Sequence, residues 1–221
     1  MKHFFYSATI ILIAGACSGT DTTRTEEQIS YLPHLGQHDV EMTIVNGEEV
    51  MDTIYHSIPP YSLLTQDSIE FTEQDVAGKI HVVNFFFTSC PSICPAMIEQ
   101  MKRLQGMTED IEELKFLSHT VDPKRDTLVK LRQYIADRNI DTHNWFFLYG
   151  EKEYVYDLGT YGYIINAMED EKADGGFLHS EYFVLIDREA HIRGMYDGTV
   201  SAEVDQLEKD IRRLLKDEYA N

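Results

Sequence analysis

Cysteine is scarce in this chain: there are three, Cys17, Cys90 and Cys94. Three is too few for a small fold built on disulfides, and an odd count leaves at least one thiol outside any pairing within the chain. Basic residues are scarce as well. Lys and Arg number 19 against 38 Asp and Glu, for a formal charge of −19. That disfavours nucleic-acid binding, because phosphate contacts need clustered Lys and Arg. It equally disfavours attraction to an anionic lipid surface. The acid excess fits a soluble body that repels its own copies and docks with a partner bearing a basic patch. Beyond the N-terminal run, no apolar stretch is long enough for a transmembrane helix. There are no internal repeats, and no proline follows Pro123. Core material is plentiful. At 43% hydrophobic and 11% aromatic over 221 residues, the chain can bury one large domain, which excludes a wholly disordered protein.

The chain opens on Met1, Lys2 and His3, and an apolar run covers residues 4–16. The run has the length of a signal-peptide core, whereas a membrane-spanning helix takes roughly 20 residues. Ala14, Gly15 and Ala16 stand directly before Cys17. Small residues at that place resemble the lipobox of bacterial lipoproteins, where the chain is cut before the cysteine and the thiol is acylated. The resemblance implies a signal peptide over 1–16 and lipid attachment at Cys17, with the domain held outside the cytoplasm in the cell envelope. Residues 18–30 are polar and rich in Gly, Ser and Thr, so they cannot bury enough to fold. Residues 17–32 are therefore expected to be a lipid-anchored flexible tether.

Val40, Met42 and Ile44 alternate with Glu41 and Thr43, then Asn46 and Gly47 precede a second strand-like run over 50–55. Asn-Gly between such runs predicts a β-hairpin, since both turn residues must accept positive φ. Residues 61–64 and 69–71 flank a turn-like Gln66-Asp67-Ser68, and Thr72 can cap a short helical turn ending at Gly78. Residues 80–87 are almost continuously apolar, the mark of a strand buried on both faces. Met97, Ile98, Met101 and Leu104 recur at helical spacing over 95–108, which favours the core for the two methionines, with thioether ligation the alternative. Residues 114–121 form another strand. Asp126 can cap a helix carrying Leu128, Leu131 and Ile135 on one face, and Asp122 suits a turn, with a place in the outer shell of a metal the alternative for either. A strand over 145–148, a helix over 151–158 and an extended segment over 163–165 follow. Residues 181–186 and 191–195 form a second hairpin. Ser201 opens an amphipathic helix with Val204, Leu207, Ile211, Leu214 and Leu215 inward. The succession predicts an α/β sheet with antiparallel additions.

The buried strand runs into Phe87-Thr88-Ser89-Cys90-Pro91-Ser92-Ile93-Cys94-Pro95. Both thiols then lie at the carboxyl end of a central strand and before a helix, where α/β folds place their sites. A helix N-terminus favours thiolate. The proline after each cysteine predicts a turn, with the helix starting near Pro95. Four residues apart, the sulfurs can converge to capture a soft metal, copper(I) above all, or to pair as a disulfide. His34, His38, His56, His119, His143 and His191 lie in polar or edge contexts and read as surface or structural. His81, at the buried strand start, reads as a satisfied structural histidine. His179 follows the Asp174-Gly175-Gly176 loop at the start of a strand. On its own it reads as structural, with ligation the alternative.

Four segments, in order, resemble the Sco/SenC family of thioredoxin-like copper proteins. They are Gly78-Lys79 leading into FFFTSCPSICP, then TVDPKRDT from Thr120 to Thr127, NWFFLYG from Asn144 to Gly150, and His179-Ser180 leading into FVLID at 183–187. Leu178 and Leu128 stand where the family often has Asp and Pro. The resemblance implies a thioredoxin-like α/β fold over 59–221, a central mixed sheet flanked by helices, with a β-hairpin extension over 33–58. It implies copper as the metal, held by Cys90, Cys94 and His179. It implies the copper-site subunit of cytochrome c oxidase, or another copper protein, as partner. The family delivers copper to the dinuclear oxidase site or prepares that site's thiols. The rival expectation is a thiol–disulfide oxidoreductase that uses Cys90 and Cys94 to keep the oxidase cysteines reduced. Three intervening residues in place of two, and no proline late enough to lie opposite the site, favour a metallochaperone over that enzyme. A peroxide-reducing enzyme would carry Thr three residues before its cysteine. Phe87 and Pro91 stand there instead.

Overall fold

The computed structural model describes residues 31–45, 47–165, 167–169 and 177–219. The expected signal peptide, Cys17, most of the tether, Asn46 and the Asp174-Gly175-Gly176 loop lie outside the described residues. Among the described residues no helix is long and apolar enough to cross a membrane.

The alternating segment near the N-terminus forms a hairpin of β1 (Asp39–Val45) and β2 (Glu48–Ile54), with Met42 opposite Met51. Gly47 takes φ +87, the left-handed conformation its turn requires. The hairpin is a separate two-stranded sheet, and β2 is exposed along its whole length.

The main body among the described residues is a seven-stranded mixed sheet. β3 (Ser62–Thr65) and β4 (Glu70–Thr72) form one edge, and Thr72 caps a single 3-10 turn, Glu73–Asp75. β5 (His81–Phe86) leads into helix α1 (Cys94–Met107), β6 (Lys115–Thr120) and α2 (Leu128–Asp137). Next come β7 (Trp145–Tyr149) and α3 (Lys152–Asp157). β5, β6 and β7 are parallel, as β–α–β connections dictate. β8 (Ala167–Glu169) and β9 (Phe177–His179) make a second small antiparallel pair. β10 (Tyr182–Ile186) joins the free side of β5 antiparallel, β11 (Ile192–Asp197) adds outside it, and α4 (Ser201–Arg213) closes the chain.

Every residue of β5 is buried, as its unbroken apolar run predicts. Phe86 faces α2 and meets Tyr134 at 5.6 Å, while Phe85 faces the other side and meets Tyr163 at 5.7 Å. Successive side chains of a strand point to opposite faces, so the aromatic run is used on both. Each such ring contributes about 1.5–3 kcal/mol of burial. Met97, Ile98, Met101 and Leu104 of α1 are buried, as is the Val204, Leu207, Ile211 and Leu214 stripe of the C-terminal helix.

Residues 163–165 are not extended: α3 continues through a wide turn, Leu158–Gly162, which Tyr163 ends by donating its amide to Leu158 O at 3.0 Å. Ile164 then takes φ +57, which turns it outward and leaves Tyr163 and Ile165 buried. His119 lies in no edge context. It sits in central strand β6, fully buried, with its ring stacked on Phe85 at 5.0 Å.

Candidate metal centre

β5 delivers its last residues to the carboxyl end of the sheet, and a short loop carries Cys90 to α1. The loop is tied to the neighbouring strand by one carboxylate. Asp126 Oδ2 accepts the Thr88 amide at 2.9 Å and the Thr120 hydroxyl at 2.6 Å, while Oδ1 accepts the Thr88 hydroxyl at 2.5 Å. Asp126 and Thr120 are fully buried. The expected capping role of Asp126 is corrected: Thr127 caps α2, accepting the Lys130 amide at 3.3 Å. Asp126 turns inward instead, because two hydroxyls and an amide at the ends of β5 and β6 need an acceptor away from water. Asp122 has the expected turn role, accepting the Arg125 amide.

The loop then folds back, with the Cys90 amide donating to Phe87 O at 3.2 Å. Cys94 is the first residue of α1, one position earlier than expected, with Pro95 in the first turn. Proline is tolerated there because its absent N–H would have had no intrahelical acceptor. The Cys94 amide points at Cys90 Sγ, 3.5 Å away. Ser92 Oγ lies 3.9 Å from the same sulfur. No disulfide joins the two sulfurs. Cys90 keeps 7% exposure and Cys94 1%, so the pair meets solvent through Cys90.

The helix N-terminus does not set the acidity of Cys94. Its pKa is raised, first by the hydrogen bond to Cys90 and then by burial, with only the Phe87 backbone opposing. The inner thiol thus holds its proton toward Cys90. Two polarisable sulfurs on one turn, one amide aimed at them and a mostly apolar floor suit a soft monovalent metal.

The site expectation for His179 is placed only in part. His179 ends β9, paired with Ala167, and does not begin the longer strand that follows. β10 runs antiparallel to β5 with Val184 opposite Val83. The chain therefore enters β10 at the carboxyl end of β5, the end from which Cys90 and Cys94 depart. His81 is buried, with Nδ1 3.2 Å from Lys79 O, and belongs to the far end of that strand. The Asp126 tie bears on the alternative expectation, a place for this carboxylate around the metal site, and the structure puts it on the loop that carries Cys90. Its only local signal is Asp after a turn, which capping explains equally well.

A parallel β5–β6–β7 core with antiparallel strands on both sides, and a CxxxC pair between the first of these strands and its helix, defines a thioredoxin-like thiol protein. The SCO1/SenC family model matches residues 51–216. The chain belongs to the SCO1/SenC family. Among its relatives, a SCO1 protein homolog of Bacillus subtilis (strain 168) is 25% identical over 171 residues, 75% of this chain and 86% of the relative. A protein of Stutzerimonas stutzeri whose name says that it binds copper is 27% identical over 165 residues, 73% of this chain and 78% of the relative. Among solved structures, a SCO1/SenC family lipoprotein from Bacillus anthracis str. Ames is 28% identical with TM-score 0.67, covering 73% of this chain and 96% of that chain.

Proposed function

We propose that this chain binds copper through Cys90 and Cys94, with His179 completing the site, and delivers it to the dinuclear copper site of cytochrome c oxidase. The carrying observation is the thiol pair on one turn, with the Cys94 amide 3.5 Å from Cys90 Sγ. Family membership and the copper-binding name of the Stutzerimonas stutzeri relative support copper as the cargo. Two thiolates and a neutral imidazole make a soft three-coordinate environment for copper(I). The inner thiol gives up its proton on loading, and the more open Cys90 is the side from which an acceptor thiolate replaces a ligand. Lipid attachment through Cys17 would hold the domain at a membrane of the cell envelope, in reach of an oxidase subunit. The Bacillus anthracis str. Ames neighbour, itself a lipoprotein, supports that placement.

Anaerobic titration of the full chain with copper(I) tests the proposal. One copper per chain is expected, with binding abolished in Cys90→Ser and in Cys94→Ser and weakened in His179→Ala. Unchanged affinity in His179→Ala would overturn the three-ligand assignment.

A second reading is favoured by the same closeness of the two cysteines. Oxidation would join the sulfurs, removing two electrons and two protons, which a partner disulfide would accept as it opens to two thiols. Turnover of a protein disulfide in the absence of copper would favour that oxidoreductase.

A further inference from the structure

The turn between β10 and β11 carries another set of metal-ligating side chains. His34, Asp187 and His191 each offer one ligand atom, and these atoms lie within 4.8 Å of one another. Ile186, the last residue of β10, stands opposite His81, the first of β5. The turn therefore lies at the opposite end of the sheet from Cys90 and Cys94. His34 also precedes residues 51–216, the part that the family model matches.

The carboxylate is buried and held in place. Asp187 Oδ1 accepts the amides of Glu189 at 3.0 Å and His191 at 2.8 Å. Its Oδ2 accepts Arg193 Nη1 at 3.0 Å and lies 3.5 Å from His191 Nδ1. A carboxylate oxygen has two lone pairs, so it can serve a guanidinium and a metal ion together. Arg193 also donates to the carbonyls of Leu32 at 2.6 Å and Pro33 at 3.2 Å, and the Leu35 amide donates to Ile192 O at 2.8 Å. These bonds bracket His34 and fix its backbone beside the turn. The His34 ring stacks on Tyr55 at 3.9 Å and meets the His191 ring edge-on at 5.0 Å. Three donors from segments more than 150 positions apart are thus held together by bonds that do not involve the imidazoles.

We propose that His34, Asp187 and His191 form a second metal site, for a divalent cation of the zinc or copper(II) class, which clips the segment around His34 to the β10–β11 turn. The donor set selects that class. Two imidazoles and one carboxylate suit borderline cations, whereas copper(I) prefers sulfur and calcium prefers oxygen alone. Tetrahedral bonds of about 2.0–2.1 Å place donors roughly 3.4 Å apart. The His191–Asp187 pair, at 3.5 Å, has that spacing already, and rotation of the His34 side chain supplies the rest. His191 keeps 21% side-chain exposure, which leaves a solvent-facing position for a water ligand.

The test uses the full chain carrying Cys17→Ser, Cys90→Ser and Cys94→Ser, so that thiols take no metal, and zinc(II) as the probe. Equilibrium dialysis should give one zinc per chain. His34→Gln and His191→Ala should each weaken it by more than the roughly 10–100-fold that loss of a supporting second-shell group causes. Cobalt(II) in place of zinc should give the absorption bands of a nitrogen- and oxygen-ligated tetrahedral ion. His143→Ala, at an exposed ion pair with Asp141, should leave binding unchanged. If His191→Ala fails to fold, His34→Gln alone decides, since its side chain comes from the entering segment. Zinc binding with unchanged affinity in His34→Gln would overturn the proposal, as would no binding at millimolar zinc.

Discussion

Asp126 offers the sharpest test of how the fold holds the cysteine loop. Its carboxylate accepts three hydrogen bonds, from the Thr88 amide, the Thr88 hydroxyl and the Thr120 hydroxyl. A hydrogen bond to a charged group contributes about 1.5–3 kcal/mol, and a buried donor stripped of its partner costs about 1–3 kcal/mol. In Asp126→Ala the half-buried Thr88 hydroxyl can turn to water, but the Thr88 amide and the fully buried Thr120 hydroxyl cannot. The expected loss is about 3–5 kcal/mol. Asp126→Asn keeps one acceptor oxygen for the amide and the Thr120 hydroxyl, and its NH2 can donate to Thr88 Oγ1, so the loss should be about 1–2 kcal/mol. Urea unfolding of the copper-free protein measures both. A copper(I) competition assay should then show weaker retention in Asp126→Ala by roughly 10–100-fold, as for other groups that orient metal ligands. A helix cap predicts a different pattern: a loss of about 1 kcal/mol with metal retention unaltered. That pattern, or equal stability of the two variants, would refute the tie between Asp126 and the site.

Acid should destabilise the fold before its carboxylates titrate. Burial lowers the pKa of His81 to about 4 and of His119 to about 3. The unfolded chain, with histidine near 6.5, binds more protons below that pH, so stability falls as pH drops from about 6.5 towards 4 and is flat above. At pH 5 each histidine contributes a loss of about 2 kcal/mol. Urea midpoints between pH 7 and 5 measure it, and His119→Phe should remove about half of the dependence; an unchanged slope in that variant would sink the assignment. The raised Cys94 thiol makes copper(I) displace a proton, so affinity should climb with pH by up to about tenfold per unit for each proton released. Competition with a copper(I) chelator from pH 6 to 8 checks this, and a flat profile would argue against thiol ligation. Gly150 follows β7 where a Cβ would stand 2.3 Å from Leu63 Cδ2, so Gly150→Ala should lower stability by about 1–3 kcal/mol through displacement of the buried Leu63 side chain.

The parts of this fold legible in the sequence are those where one physical demand dominates. An unbroken apolar run such as 80–87 has no use except as a strand covered on both faces, and β5 is that strand. Asn46-Gly47 between alternating runs announces its hairpin through backbone conformation alone. The turn after α3 was illegible because its cause is tertiary. Tyr163 and Ile165 are buried on the sheet, and the backbone accommodates both by sending Ile164 through a left-handed conformation that no local propensity favours. His119 was misjudged for a similar reason. Lys115 and Ser118 lend its strand a polar look, yet β6 is the middle member of the parallel trio and hides them both in part or in full.

The site divides along the same line. Cys90 and Cys94 are legible because CxxxC after an apolar strand fixes their position relative to the sheet whatever the rest of the chain does. Their chemistry is not, because acidity depends on what surrounds the sulfur. A helix N-terminus argues for a thiolate, but the structure buries Cys94 at 1% exposure and gives it Cys90 as a hydrogen-bond partner. The neighbouring sulfur and then burial therefore outweigh the helix dipole, which acts only over its first turn. The two sulfurs thus differ in role: Cys94 faces inward with its proton held toward Cys90, and Cys90, the more open of the two, is the sulfur that an incoming metal ion or thiol meets first.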